Sequence, residues 1–301
     1  MTHPAARQGR FIELAEEVLM SLDQVLVPFI TCVNSEEGMF IASLKAALGK
    51  NYQVNRVIAA QKSASGAFTL TASLRGLIED IISLEHIAEF TDHRDEIVNE
   101  LLLHDLFRYM DSQRQFFKEY RPFQPLLNTR PMDQDIVDCK DRLKRLGYNQ
   151  TLNLKEKANK VGLGALYDYL YMATSANVHF NAYTLFRMGW SADNFHTFDY
   201  SIDNFSEYYF NFNRIYGVLL FVMFCTRFAS HLHAKEILKP IVESLILLLS
   251  EEGRWPEIIT PEEMNKPAFS ETLYFMTNQI GGLKSDQTKV LWNWADEEVQ
   301  R

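Results

Sequence analysis

Three short constellations in this 301-residue chain carry residue types that can do chemistry. In the first, Arg75, Glu79 and His86 fall within about 40° of one another on a helical wheel, at the edge of a broad apolar face running from Leu70 to Ala88. Arg75 and Glu79 stand at i,i+4, the spacing of an ion pair on a helix, and with the imidazole they could form a polar site between helices. Glu85 falls inside the apolar arc, where a carboxylate must find a partner because a lone buried charge is costly. In the second, Asp168, Tyr171, Ser175 and His179 fall within about 80° of one face of a Tyr-rich segment. Two polar stripes, each beside an apolar face, should meet, since a buried unpaired polar group costs about 1–3 kcal/mol. The expectation is that Arg75 or Glu79 contacts the Asp168–His179 stripe. In the third, Arg227 and His233 stand near the end of an apolar helix, where a histidine can simply cap the last turn.

Each constellation also has a plain structural explanation. Ion pairs between helices are commoner than active sites, and a histidine on an apolar helix is more often a satisfied core residue than a ligand. A Ser-His-Asp hydrolase is not expected, because nothing supplies a strained nucleophile turn or an oxyanion hole. Lys140, Arg142, Lys144 and Arg145, interleaved with Asp138 and Asp141, read as a solvated helix face. No phosphate-binding glycine loop, zinc signature or EF-hand pattern occurs, so no cofactor and no metal is expected. Cys32, Cys139 and Cys225 form no C-x-x-C pair and imply no disulfide framework.

The elements that must position these residues are helices. Gly and Pro are scarce, at 13 and 9, and apolar residues recur at spacings of three and four throughout. The fold class expected is all-α, one helical bundle-like domain over 1–301, with N-terminal helices in 1–50, a central core in 51–234 and C-terminal helices in 235–301. Helices are predicted over Arg7–Thr31, Glu37–Leu48 closed by Gly49, Gln53–Phe90 as either one long helix or two joined near Ser63–Gly66, and Arg94–Tyr120. Further helices follow over Asp133–Leu146 and Gly164–Arg187. The next is capped by either Ser201 or Asn204, the latter matching a capping box with Glu207, and can reach His233. Ala234–Glu252 and Pro267–Gln279 complete the set. The charged stretch Leu154–Lys160 and the segment Gly189–Tyr200 read as surface and loop.

Composition narrows the function. The net charge of −9 argues against broad binding to nucleic acid, whose affinity comes from Lys and Arg on phosphates. The longest apolar uncharged run, Ile215–Thr226, is too short for a membrane span of about 20 residues. Glu13, Glu16 and Glu17 interrupt the first apolar segment, so no signal peptide is read and a cytoplasmic, reducing location is expected. Of the 38 Phe, Tyr and Trp residues, half lie within 161–230, which reads as a thick core or as a face for a protein partner, a second copy or a flat ligand.

Two blocks, Ser73-Leu-Arg75-Gly-Leu-Ile-Glu79-Asp-Ile-Ile and Tyr167-Asp-Tyr169-Leu-Tyr171 followed by Ser175-Ala-Asn-Val-His179, resemble an all-helical bacterial family known only as a domain of unknown function. The resemblance spans roughly 41–224. It implies a helical fold in which Arg75, Glu79, Ser175 and His179 converge, and no established activity. Arg227 to His233, with five residues between, is similar to the Arg-x(4–6)-His motif of the HEPN helical ribonucleases, but Phe228 stands where that family usually has a polar residue. Two functions follow as expectations. One is a non-catalytic module that binds a partner or ligand through the aromatic-rich half. The other is a metal-independent HEPN-like ribonuclease of a bacterial stress or phage-defence system. In it His179 or His233 would be the acid/base, with Arg75 or Arg227 steadying phosphate charge on RNA.

Overall fold

The computed structural model describes residues 15, 17–31, 37–61, 63–126, 130–179, 181–188, 201–251 and 254–260. Every regular element among them is a helix and none is a strand, so the fold is all-α. The helices are α1 (Asp23–Thr31), α2 (Met39–Ala60), α3 (Ala67–Ala88), α4 (Arg94–Tyr120) and α5 (Asp133–Arg145). They continue with α6 (Leu154–Lys160), α7 (Gly164–Ser175), α8 (Ala182–Met188), α9 (Ser206–Phe228) and α10 (Lys235–Glu251).

The core forms around α9. Its apolar residues are not confined to one stripe, and Phe212, Ile215, Tyr216, Leu220, Phe221, Phe224 and Phe228 are all buried. A helix that is apolar all round must be covered all round. Helices α2, α3 and α10 do this, while α4 pairs with α5 and also touches α2, and α7 lies against α3 and α6. Polar side chains pin the layers. Asn213 Nδ2 donates to the Ala67 carbonyl at 2.7 Å, tying α9 to the first residue of α3. Asn51 Nδ2 donates to the Leu220 carbonyl at 3.3 Å, and Asn55 Nδ2 donates back to the Asn51 side chain at 2.9 Å.

Other contacts join more distant pieces. The Phe40 amide, in the first turn of α2, donates to Asp95 Oδ1 at 2.7 Å, so a carboxylate from α4 caps a different helix. Gly38 makes room for it, because a Cβ there would lie 2.5 Å from the carboxylate oxygens. The Tyr216 hydroxyl lies 3.0 Å from that of Tyr169, and Tyr169 donates to the Pro256 carbonyl at 2.7 Å, which straps the segment after α10 onto the core.

Several boundaries differ from those read in the sequence, each for a local reason. Gly49 does not close a helix. It lies inside α2, where a Cβ would come 3.0 Å from Ile30, so it marks close approach of α1. Leu154–Lys160 is a helix, started by a complete capping box of Asn153 and Glu156. The predicted helix Gly164–Arg187 ends at Ser175. The chain turns over 176–179 and restarts at α8, where Asn181 Oδ1 accepts from the Thr184 amide at 3.0 Å. Asn204 does not cap α9; its amide donates to the Met188 carbonyl instead, and helix starts at Ser206. The end of α9 is Phe228 rather than His233. Of the two readings of Gln53–Phe90, the structure takes the one with a break near 63–66; the break after Tyr120, helix α4 and helix α10 lie where the periodicity puts them. The predicted helix Pro267–Gln279, the segment Gly189–Tyr200 and the first residues of Arg7–Thr31 lie outside the described residues.

Gly217 gives the sharpest test of this packing. A Cβ there would sit 2.7 Å from Asn55 Oδ1, and Asn55 is itself buried and hydrogen-bonded. In an open helix Gly→Ala would stabilise by about 1 kcal/mol. Here overpacking wins, and Gly217→Ala lowers stability by about 1–3 kcal/mol. The urea midpoint reads this directly, and an unchanged or raised midpoint would show that Asn55 can turn aside freely.

Candidate functional site

Helices α3 and α7 run against each other, and their polar edges meet. Arg75 Nε donates to Glu79 Oε1 at 2.8 Å along α3. Arg75 Nη1 lies 3.2 Å from His179 Nε2, in the turn that follows α7. The guanidinium carbon stands 4.8 Å from the centre of the Tyr171 ring, a cation–π contact. Tyr167, one turn earlier on α7, is buried beside them. Burial, followed by the charge of Glu79, raises its phenol above the ordinary tyrosine range. The hydrogen bond that Arg75 donates to Glu79 raises the Arg75 pKa further, so it stays charged. Asn177 ties the same turn to α3 by donating to the Phe68 carbonyl at 3.4 Å.

This geometry decides the chemistry. Arginine has only donors, so in this contact His179 Nε2 is the acceptor. The nitrogen facing α3 is therefore occupied by a structural bond. Ser175 is brought into the same turn, but its hydroxyl makes no hydrogen bond among the described residues. Its carbonyl accepts from the His179 amide at 3.0 Å, so Ser175 and His179 are joined through the main chain only. A nucleophile needs its base within hydrogen-bond reach, and this pair lacks that contact. Asp168 leaves the group: it points to α6 and pairs with Lys155. His86, placed beside Arg75 by the wheel, turns into the core between Phe90 and Tyr148, where burial lowers its pKa and keeps it neutral.

The Arg227–His233 pair separates into two structural roles. Arg227 Nη1 lies 3.4 Å from Glu85 Oε2, which supplies the partner that a carboxylate in an apolar arc requires. His233 adopts a left-handed conformation with φ 52°. Its amide bonds to the Ser230 carbonyl at 3.2 Å, and the Ala234 amide bonds to the Ala229 carbonyl at 2.9 Å. These are the two bonds of a Schellman motif, with histidine in the place glycine usually takes. The imidazole nearest this end in contact with a cation is His231, whose Nδ1 lies 3.3 Å from Arg94 Nη1 and whose ring meets Phe40 edge-on.

Arg75, Glu79, Tyr171 and His179 thus form a clasp between α3 and the 176–179 turn. Tyr167 and Asn177 complete it and were not singled out by spacing; both stand inside the Tyr-rich and Ser-to-His blocks. Among the described residues no group of three or more His, Cys, Asp or Glu could hold a metal ion.

The clasp predicts a local effect. Arg75→Ala removes the Glu79 bond, the ring contact and the His179 contact together. Hydrogen-exchange protection of the amides at 177–179 should fall about tenfold, the equivalent of about 1.4 kcal/mol. Arg75→Lys, which keeps the charge and loses the fork, should fall between the two. Equal protection in all three proteins would show that the turn holds itself.

No curated protein and no solved structure matches the chain. Residues 50–196, which take in α3, α7 and every member of the clasp, match the model of DUF5677, a family of unknown function.

Proposed function

We propose that the chain is one domain that acts as a non-catalytic helical module, and that it works as a pair with a second copy of itself along α4. The observation that carries this reading is the outer face of α4. Leu102, Leu106, Tyr109, Phe116 and Tyr120 are exposed there, and Phe123 just beyond the helix is 98% exposed. With Gln113 these positions step alternately by four and three residues, the period of a two-helix seam. Exposed apolar stripes of this length mark interaction surfaces. Every copy carries the same seam, so a twofold pair is self-complementary. A single polar residue in such a seam, here Gln113, is the usual device for setting register.

The aromatic-rich region 161–230 offers less support as the partner face. Its Phe212, Tyr216, Phe221, Phe224 and Phe228 are core residues, and the exposed aromatic residues among those described are Tyr109, Phe116, Tyr120 and Phe123. The clasp also favours binding over catalysis, since its arginine and the facing histidine nitrogen are committed to each other. Sedimentation of the full chain tests the pairing. The wild type should sediment as a dimer, and Leu106→Glu with Phe116→Glu should be a monomer with an unchanged melting curve. A wild type that stays monomeric at its solubility limit overturns the pairing.

One observation favours the HEPN-like ribonuclease as a second reading: His179 is exposed and lies beside a guanidinium, as an acid/base next to a phosphate anchor would. Labelled single-stranded RNA incubated with EDTA separates the two. The binding-module reading expects intact RNA. Cleavage that persists in EDTA and disappears in His179→Ala would replace it.

A further inference from the structure

A groove of about 850 Å³ opens between α4, α5, the loop after α5 and the start of α6. It lies apart from the clasp and from the outer face of α4. Four cations from these elements line it: Arg108, Lys140, Lys144 and Lys157. In a chain of net charge −9 that convergence is unusual. It is also unlike the chain's other arginines and lysines, many of which are paired. Arg142, on the same helix as Lys140 and Lys144, turns the other way and donates to Glu100 at 2.7 Å. Among the described residues no carboxylate lies within ion-pair distance of Arg108, Lys140 or Lys144. Three long cationic side chains are thus left facing one concave surface. Lys157 is positioned by the Tyr148 hydroxyl, to which it donates at 3.0 Å.

The floor of the groove adds an independent observation. His104 lines it and is only 7% exposed, yet its Nε2 is buried with no hydrogen-bond partner. A buried polar atom of this kind costs free energy unless something bonds to it. The other ring nitrogen is engaged, 3.3 Å from Asp105 Oδ1. The opposite charges limit what fits. Asp105 and Asp141 also line the groove, and carboxylates accept hydrogen bonds from hydroxyl or amino groups while they repel an extended polyanion. A volume of about 850 Å³ lies in the range for a small organic ligand.

We propose that this groove binds a small hydroxyl-bearing phosphate ester, of the nucleotide or sugar-phosphate class. Lys140, Lys144 and Arg108 hold the phosphate, and Asp105 and Asp141 take the hydroxyl or amino donors. Lysines one helical turn apart on α5 present two point charges to one anion, and Arg108 closes the site from α4.

Isothermal titration of the full chain with ATP, glucose 6-phosphate and inorganic phosphate tests this, with a single-stranded RNA 20-mer as a fourth probe. At least one of the two esters should bind more tightly than inorganic phosphate, and which one does so identifies the class. Lys144→Glu should weaken that binding at least tenfold, and Lys140→Glu with Lys144→Glu should abolish it, with melting curves near the wild type. Arg145→Glu makes the same charge change on the same helix outside the groove and should alter affinity less than threefold. Equal losses in Lys144→Glu and Arg145→Glu would reduce the effect to general charge and overturn the proposal. Failure of both esters to bind would also overturn it, as would RNA binding more tightly than either ester.

Discussion

The structure depends on a helix that has no outside. Helix α9 carries large apolar side chains around its circumference, so it is stable only when neighbours cover every face. That requirement draws α2, α3 and α10 around it, while α1, α4, α6 and α7 attach to α2 or α3 and α5 is held by α4. Apolar burial alone would let the helices slide. The buried asparagines restrict sliding, because the Asn213 and Asn51 amide groups each donate to one carbonyl on a neighbouring helix. An unsatisfied amide in this core would cost more than a shifted methyl group, so the polar pins set register where apolar contacts set only proximity.

The same economy governs the charged residues. Arg75, Arg142 and Arg227 each reach across to another element or along their own helix, and each is held by a carboxylate. Such groups are ties, and their charge is already answered. Arg75 is the instructive one, because beyond its bond to Glu79 it also reaches across to the imidazole nitrogen of His179 that faces α3. Arg108, Lys140 and Lys144, which face the groove, differ in one respect: among the described residues no carboxylate answers their charges.

Spacing of apolar residues revealed the helices because α-helical periodicity survives any tertiary arrangement. It also brought Arg75 towards His179, since two polar stripes beside apolar faces have few other places to go. The turn at 176–179 was not legible, because Ser175, Asn177 and His179 keep a helical spacing through it. What breaks the helix is competition from Asn177, which bonds to Phe68, and from Asn181, which caps α8. Asn204 misled for the same reason: its capping box with Glu207 is sound locally, but the Met188 carbonyl claims the side chain. Lys140 and Lys144 read as an exposed face, which they are; only the tertiary fold turns α4 and the 147–151 loop towards them. The two faces of α4 are equally periodic, so the pattern could not say which one the core would take. The core took the face of Ile97, Val98 and His104, and left the aromatic one outside.

The hydrogen bond from Asn51 to the Leu220 carbonyl joins residues 169 positions apart in the chain. A ribosome makes roughly 5–20 residues per second, so α2 leaves it roughly 10–30 s before the helix that covers it is complete. Through that interval Ile58, which lies against Gly217 in the finished protein, lacks the cover that α9 gives it. Until α9 is made, the face of α2 that it covers stays open to the surroundings, and slower translation lengthens that interval.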